Sequence, residues 1–189
     1  MEIVKEPLNG LLIIKPDIYE DERGFFLETW QQERYRCIGI KNKFVQDNWS
    51  RSFKGVLRGL HYQRSQPQGK LVSVRRGRIF DVAVDLRKNS KTFGVWYGEI
   101  LSDKNHVQMY SPPGFAHGFS VLSECADVNY KCTAYYQPND EYGIIWNDQD
   151  LAIDWMIKNP IISEKDKKFS SFSKIKASNK LPKPVNVSL

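Results

Sequence analysis

His61, His106 and His117 are the only side chains in this 189-residue chain whose ordinary pKa lies near neutrality. His61 closes the run Lys54-Gly55-Val56-Leu57-Arg58-Gly59-Leu60-His61, which places a permanent cation and a switchable base on one strand-like stretch. The run Gln68-Gly69-Lys70-Leu71-Val72 follows almost at once. Two strand-like runs with charged residues at their mouths point to a barrel lumen built for a charged or polar ligand. An imidazole in such a lumen suits general-base work, since its pKa of about 6.5 lies close to the operating pH. A tyrosine across the cavity can return a proton, and a lysine can stabilise a developing oxyanion without changing its own protonation. The plainer reading of His61 is a hydrogen-bonded barrel histidine. The spacing leaves open both a cofactor-free acid–base enzyme and a ligand-binding barrel.

His117 ends Pro112-Pro113-Gly114-Phe115-Ala116-His117, which fits the P-x-G-x-x-H pattern of cupin barrels. A cupin metal site needs about three or four protein ligands. The usual first motif supplies H-x-H, whereas this chain reads His61-Tyr62-Gln63, one histidine where two are wanted. No metal is therefore expected. His106 sits in a Lys/Asn loop and reads as exposed. The chain has neither a phosphate-cradling glycine loop nor a G-x-S-x-G elbow, and it has no dense acidic cluster for magnesium.

The elements that must position these residues read as strands. Leu11–Ile14 is a short strand closed by Lys15-Pro16, and a charged turn at 20–24 leads into the aromatic run Phe25-Phe26-Leu27. Residues 31–38 are predicted as a helix ending before Gly39. Residues 70–86 give the strongest hairpin signal, two apolar runs around Arg75-Arg76-Gly77-Arg78. In the second run Phe80, Val82, Val84 and Leu86 share the expected core face. Asp81 and Asp85 point either to solvent or into a polar lumen. Trp96–Leu101 and Phe119–Leu122 are further strands, and Ala126–Tyr136 reads as one long strand. Many short strands with turn residues between them predict an all-β antiparallel jelly-roll (cupin-like) barrel with a few short helices. Residues 1–168 form the expected domain, and residues 169–189 read as a Lys/Ser/Pro-containing tail, solvated or loosely docked.

The net charge of +6 raises the question of nucleic acid. From Asp166 onward, six lysines (167, 168, 174, 176, 180 and 183) meet a single acid, so nearly all of the excess lies in the tail. The body has no phosphate-tracking stripe, and no nucleic-acid partner is expected. No apolar run approaches the roughly 18–20 residues that span a bilayer, so no membrane partner is expected either. The start, Met1-Glu2-Ile3-Val4-Lys5-Glu6, lacks an apolar signal region and reads as cytoplasmic. Cys37, Cys125 and Cys132 are odd in number and show no C-x-x-C spacing, which points to buried reduced thiols. The sequons at Asn48-Trp49-Ser50 and Asn186-Val187-Ser188 read as chance.

Seven blocks recur in a fixed order within residues 3–168. They are Asp21-Glu22-Arg23-Gly24, Phe44-Val45-Gln46-Asp47-Asn48, Gly55–His61, Gln68–Val72, Gly114-Phe115-Ala116-His117-Gly118-Phe119, Tyr130-Lys131-Cys132-Thr133 and Ser163-Glu164-Lys165-Asp166. Together they resemble the dTDP-4-dehydrorhamnose 3,5-epimerase family. The resemblance implies a jelly-roll homodimer that uses no metal or organic cofactor and acts on dTDP-4-dehydro-6-deoxy-glucose, on the route to dTDP-rhamnose. It makes His61 the base that removes the C3 and C5 protons and Asp166 the carboxylate that orients it. It makes Tyr130 the acid on the opposite face and sets Lys70 near the C4 oxygen. Arg23, Glu28, Gln46, Asp47, Asn48, Arg58, His117, Glu141 and Lys165 match sugar- or nucleotide-binding positions, and Phe26 and Tyr136 match positions that pack on the deoxythymidine. Part of the N-terminal segment would reach the neighbouring subunit's site.

The chain reads Trp155-Met156 and Trp146-Asn147-Asp148-Gln149 where the family usually has W-P and W-N-D-P, both in a connecting region. The same residues also fit a mono-epimerase acting at C3 or C5 alone, or a non-catalytic sugar-nucleotide-binding barrel. One local conflict stands out. In a regular strand Arg58 and His61 point to opposite faces, so either the strand bulges, with Gly59 the natural place, or one of the two contacts a different part of the ligand.

Overall fold

Apolar, β-branched and aromatic runs alternate along this chain with turns built on glycine, proline and charged residues. The computed structural model describes residues 1–184, and the sequon at Asn186 lies outside the described residues. The strands are β1 (Glu2–Leu8), β2 (Leu11–Lys15), β3 (Ile18–Asp21), β4 (Gly24–Leu27), β5 (Gln46–Phe53), β6 (Leu57–Gln63) and β7 (Lys70–Arg76). They continue with β8 (Arg78–Asp85), β9 (Trp96–Ser102), β10 (Gln108–Ser111), β11 (Phe115–Val121), β12 (Cys125–Cys132) and β13 (Glu141–Gly143). Two short helices, α1 (Gln32–Cys37) and α2 (Phe172–Ala177), complete the regular structure with two 3-10 turns.

A six-stranded sheet in the order β1-β2-β10-β7-β12-β5 faces a five-stranded sheet in the order β13-β6-β11-β8-β9, with β3-β4 as a separate hairpin. This is the expected jelly roll. The space between the sheets is filled by Val72, Val74, Ile79, Ala83, Phe119, Val128 and their neighbours. Two further apolar clusters cover the outer faces. On the six-stranded sheet, α1 contributes Tyr35 over Leu12, Ile14 and Leu71. On the five-stranded sheet, Val82, Val84 and Leu86 pack under Ile144, Leu151, Trp155, Phe172 and Ile175.

Three expectations are corrected here. The β7–β8 segment is not a hairpin. β7 pairs with β10 and β12 in one sheet, while β8 pairs with β9 and β11 in the other, so Gly77 is a corner between sheets. Its φ of +80° makes that corner, and a Cβ there would lie 2.0 Å from the Cys125 carbonyl oxygen. The face of β8 read as core is indeed buried, but it points outward, under the C-terminal segment rather than into the barrel. The inner face carries Ile79, Asp81 and Ala83, so Asp81 and Asp85 are fully buried rather than solvated. The long strand expected to end at Tyr136 stops at Cys132.

Residues 169–184 stay on the body. Ser171 caps α2 by accepting from the Lys174 N–H, and Phe172 and Ile175, three apart, are buried. Further on, the Tyr62 hydroxyl and the Arg64 side chain donate to the Lys180 and Asn179 carbonyls. An apolar pair within six residues is too short for its period to be read. Of the cysteines Cys132 is buried, whereas Cys37 is exposed on α1.

Candidate active site

A bulge builds the His61 position. In the β6–β11 ladder His61 faces His117 and Arg58 faces Phe119, so Gly59 and Leu60 together oppose the single residue Gly118. The extra residue bends β6 and lets Arg58 and His61 line one cleft. Gly59 has φ +122°, and a Cβ there would stand 2.5 Å from Gly118 Cα, so glycine alone fits. The bulge also releases the Gly59 N–H from the ladder, and it donates to Asp166 Oδ2 at 3.1 Å. Asp166 Oδ1 lies 2.9 Å from His61 Nε2. One carboxylate therefore ties the bulge to the imidazole.

Asp166 begins a 3-10 turn (Asp166–Lys168), with its N–H bonded to Ser163 Oγ at 3.1 Å. Burial works to raise its carboxyl, but the hydrogen bonds from His61, Gly59 and Ser163 win and hold it below the usual carboxylate range. It is ionised at neutral pH.

The cleft encloses about 600 Å³ between the sheets and is closed on one side by residues 161–166. Alternation along β5 turns Gln46, Asn48 and Ser50 inward. β7 supplies Lys70 and β12 supplies Tyr130 and Cys132. The Lys70 Nζ sits 5.9 Å from the Tyr130 ring centroid. Burial pushes the Lys70 ammonium below a free lysine's value, against the pull of Cys132, Glu141 and Asp81. Burial also raises the Tyr130 hydroxyl, so it carries its proton at neutral pH. At the mouth the Tyr136 hydroxyl donates to Glu141, which also pairs with Lys165. Burial works against the Glu141 anion, yet Lys165 and Tyr136 hold its pKa down.

His117 lines the floor and bonds Asp81 Oδ1 through Nε2 at 2.8 Å. Burial pushes its pKa down, opposed by Asp81 and reinforced by Lys70 and His61. Asp81 Oδ2 is buried and has no hydrogen-bond partner among the described residues. Sequence reasoning missed Asp81 as the partner of His117. Its signal was a carboxylate inside an otherwise apolar run. Ser163, at the start of the block that carries Asp166, accepts from the Asp166 N–H, a contact that no pattern in the sequence announces.

The cleft thus gathers His61, Lys70, Tyr130, Asp166, Gln46, Asn48, Arg58, His117, Tyr136, Glu141 and Lys165. Four expected residues do not join them. Asp47 falls on the outer face of β5 through the two-residue alternation and pairs with Lys131 at 2.8 Å. Arg23, at the β3–β4 turn, is exposed and pairs with Asp21. Phe26 is 68% exposed, and Glu28 pairs with Arg34. Neither Arg23 nor Phe26, on the separate β3–β4 hairpin, lines this chain's own cleft. Among the described residues, no three His, Cys, Asp or Glu side chains cluster as a metal site requires, and no helix is long and apolar enough to cross a membrane.

Comparison with known proteins agrees with this geometry. Residues 5–174 match the family model described as dTDP-4-dehydrorhamnose 3,5-epimerase. The dTDP-4-dehydrorhamnose 3,5-epimerase of Methanothermobacter thermautotrophicus is 55% identical over 167 residues, covering 87% of this chain and 90% of that protein. The crystal structure of the Legionella pneumophila dTDP-6-deoxy-D-glucose-3,5-epimerase, in complex with dTDP-4-keto-L-rhamnose, superposes with a TM-score of 0.92 at 53% identity. That match covers 97% of this chain and 98% of the other. The Elizabethkingia anophelis dTDP-4-dehydrorhamnose 3,5-epimerase structure gives a TM-score of 0.88 at 49% identity, covering 92% of this chain and 97% of that one. With its jelly roll, its carboxylate-held histidine and these matches along nearly its whole length, the chain belongs to the dTDP-4-dehydrorhamnose 3,5-epimerase family.

Proposed function

We propose that this enzyme inverts C3 and C5 of dTDP-4-dehydro-6-deoxy-glucose by proton transfer from carbon to His61 and from Tyr130 to the opposite face. The observation that carries this reading is the pairing of His61 with an ionised Asp166 in the same cleft as a proton-bearing Tyr130. The 4-keto group acidifies both neighbouring carbons, so one base serves both. His61 takes the proton from C3 or C5, and the electron pair of the broken C–H bond moves into an enolate whose charge rests on O4. Lys70 meets that charge. Tyr130 then protonates the carbon from the other side, and solvent restores both groups. No metal or organic cofactor takes part.

Gln46, Asn48, Arg58, His117, Glu141 and Lys165 hold the sugar and diphosphate, and Tyr136 packs on the base. The enzyme acts as a cytoplasmic homodimer in which the N-terminal segment delivers Arg23, Phe26 and Glu28 to the neighbouring cleft. The exposure of Arg23 and Phe26, and the place of all three outside this chain's own cleft lining, support that arrangement. The test is turnover of dTDP-4-dehydro-6-deoxy-glucose in deuterated water, followed by NMR. Label at both C3 and C5 with formation of dTDP-4-dehydrorhamnose is expected. Label at a single carbon, or at none, overturns the reading.

A further inference from the structure

Phe169 follows directly on the 3-10 turn that begins with Asp166, and its ring stands edge-on to the His61 imidazole. The centroids are 5.6 Å apart and the planes cross at 75°. The ring reaches that position through a gap. Gly143, on β13, is the register partner of His61 on β6. A Cβ at Gly143 would lie 2.3 Å from Phe169 Cε2, 2.4 Å from Cδ2 and 2.6 Å from the Leu60 carbonyl oxygen. Gly143 is not one of the glycines with positive φ. Glycine is therefore needed there for space, not for backbone conformation.

The ring is anchored on both sides. Before it, Asp166 bonds His61 and Gly59. After it, the Ser170 carbonyl accepts from the Ile145 N–H at 3.0 Å, and the Phe172 N–H donates to Asp148 Oδ2 at 2.7 Å. One short turn thus brings a carboxylate to one side of the imidazole and an aromatic ring to another. The hydrogen bond to Asp166 fixes Nε2 but does not by itself stop the imidazole swinging about χ2, a torsion with broad, soft wells.

We propose that Phe169, seated in the space left by Gly143, is a positioning residue that holds the His61 imidazole in the orientation from which it takes the substrate proton. The proposal rests on the reading of His61 as the base. A misplacement of about 1 Å in a reacting group costs on the order of 100-fold in rate. Phe169→Ala is accordingly expected to lower kcat for deuterium exchange by about 10- to 100-fold, with KM and dTDP affinity close to wild type. Phe169→Leu, which refills the space, restores most of the rate. Phe169→Val, which fills part of the space, gives an intermediate rate, and Gly143 is left unchanged because a Cβ there also meets the Leu60 carbonyl oxygen. The nitrogen-15 spectrum of His61 in Phe169→Ala loses the two sharp ring-nitrogen signals of a held tautomer.

Wild-type kcat in Phe169→Ala, or a Phe169→Leu no faster than Phe169→Ala, overturns the proposal. If Phe169→Ala fails to fold, Phe169→Val takes its place, and wild-type kcat in that variant overturns the proposal. A His61→Ala control separates the two ideas. Exchange that survives in that variant sinks the base itself, whereas exchange lost there but intact in Phe169→Ala sinks only the role of Phe169.

Discussion

His61 and His117 are register partners across the β6–β11 ladder, and each bonds an aspartate through Nε2 at 2.9 and 2.8 Å. Their surroundings differ. The His61 side chain is 27% exposed, with Asp166 at 5%, whereas His117 and Asp81 are 8% and 0% exposed. Their origins differ too. Asp81 is a diagonal neighbour within the same sheet, since His117 pairs with Ala83. Asp166 comes from a 3-10 turn outside the strands of both sheets, 105 residues from His61. A histidine buried beside two other basic groups resists protonation, so His117 stands as a neutral hydrogen-bonding post. The half-open pair is the one placed to exchange protons with a ligand. Matching partners and distances do not give matching roles; burial separates them.

The largest expected effect tests that separation directly. His61→Ala should lower two-carbon deuterium exchange by about 1,000-fold or more, within the range of general-base contributions. His117→Ala should act mainly on KM, with kcat within about 10-fold of wild type. Equal losses of kcat in steady-state assays would break the comparison. Next in size, Asp166→Asn should lower kcat about 100-fold by leaving the imidazole tautomer unfixed, with a smaller loss for Asp81→Asn in the same assay.

The pH dependence of stability sharpens the contrast. A histidine whose folded pKa lies below its unfolded value refuses a proton that the unfolded chain accepts. The contribution of His117 is therefore full above about pH 6.5 and is lost as pH falls below that value. Urea melts between about pH 7 and 5 should show this slope flattened in His117→Asn. Asp166, held low, contributes its own loss only in more acidic solution, below about pH 4. The smallest effect concerns Lys70. Burial disfavours its charged form in the fold, so Lys70→Met should gain about 0.5–2 kcal/mol in urea melts at pH 7 while losing activity. That gain should shrink as pH rises toward about 10.5, where the unfolded lysine also gives up its proton.

Much of the site was legible because its residues carry their chemistry locally. The spacing of Arg58 and His61 required either a bulge at Gly59 or contacts with different parts of a ligand, and the bulge is there. Asp47 shows the limit. Its neighbours Gln46 and Asn48 face the cleft, and strand alternation alone excludes a residue quoted in the same block. The Arg75-Arg76-Gly77-Arg78 turn misled because a tight glycine turn between two apolar runs serves a hairpin or a change of sheet equally well. Only the pairing partners of β7 and β8 distinguish the two.

The amino-acid pattern by itself determined an all-β barrel and the identity of the groups that can move a proton, since two-residue alternation and side-chain pKa are properties of short stretches. Tertiary structure alone decided which histidine is open to a ligand, which aspartate serves it, and that the outward face of β8 is buried under residues beyond 140. Those outcomes rest on contacts between segments far apart in the chain, and no local period records them.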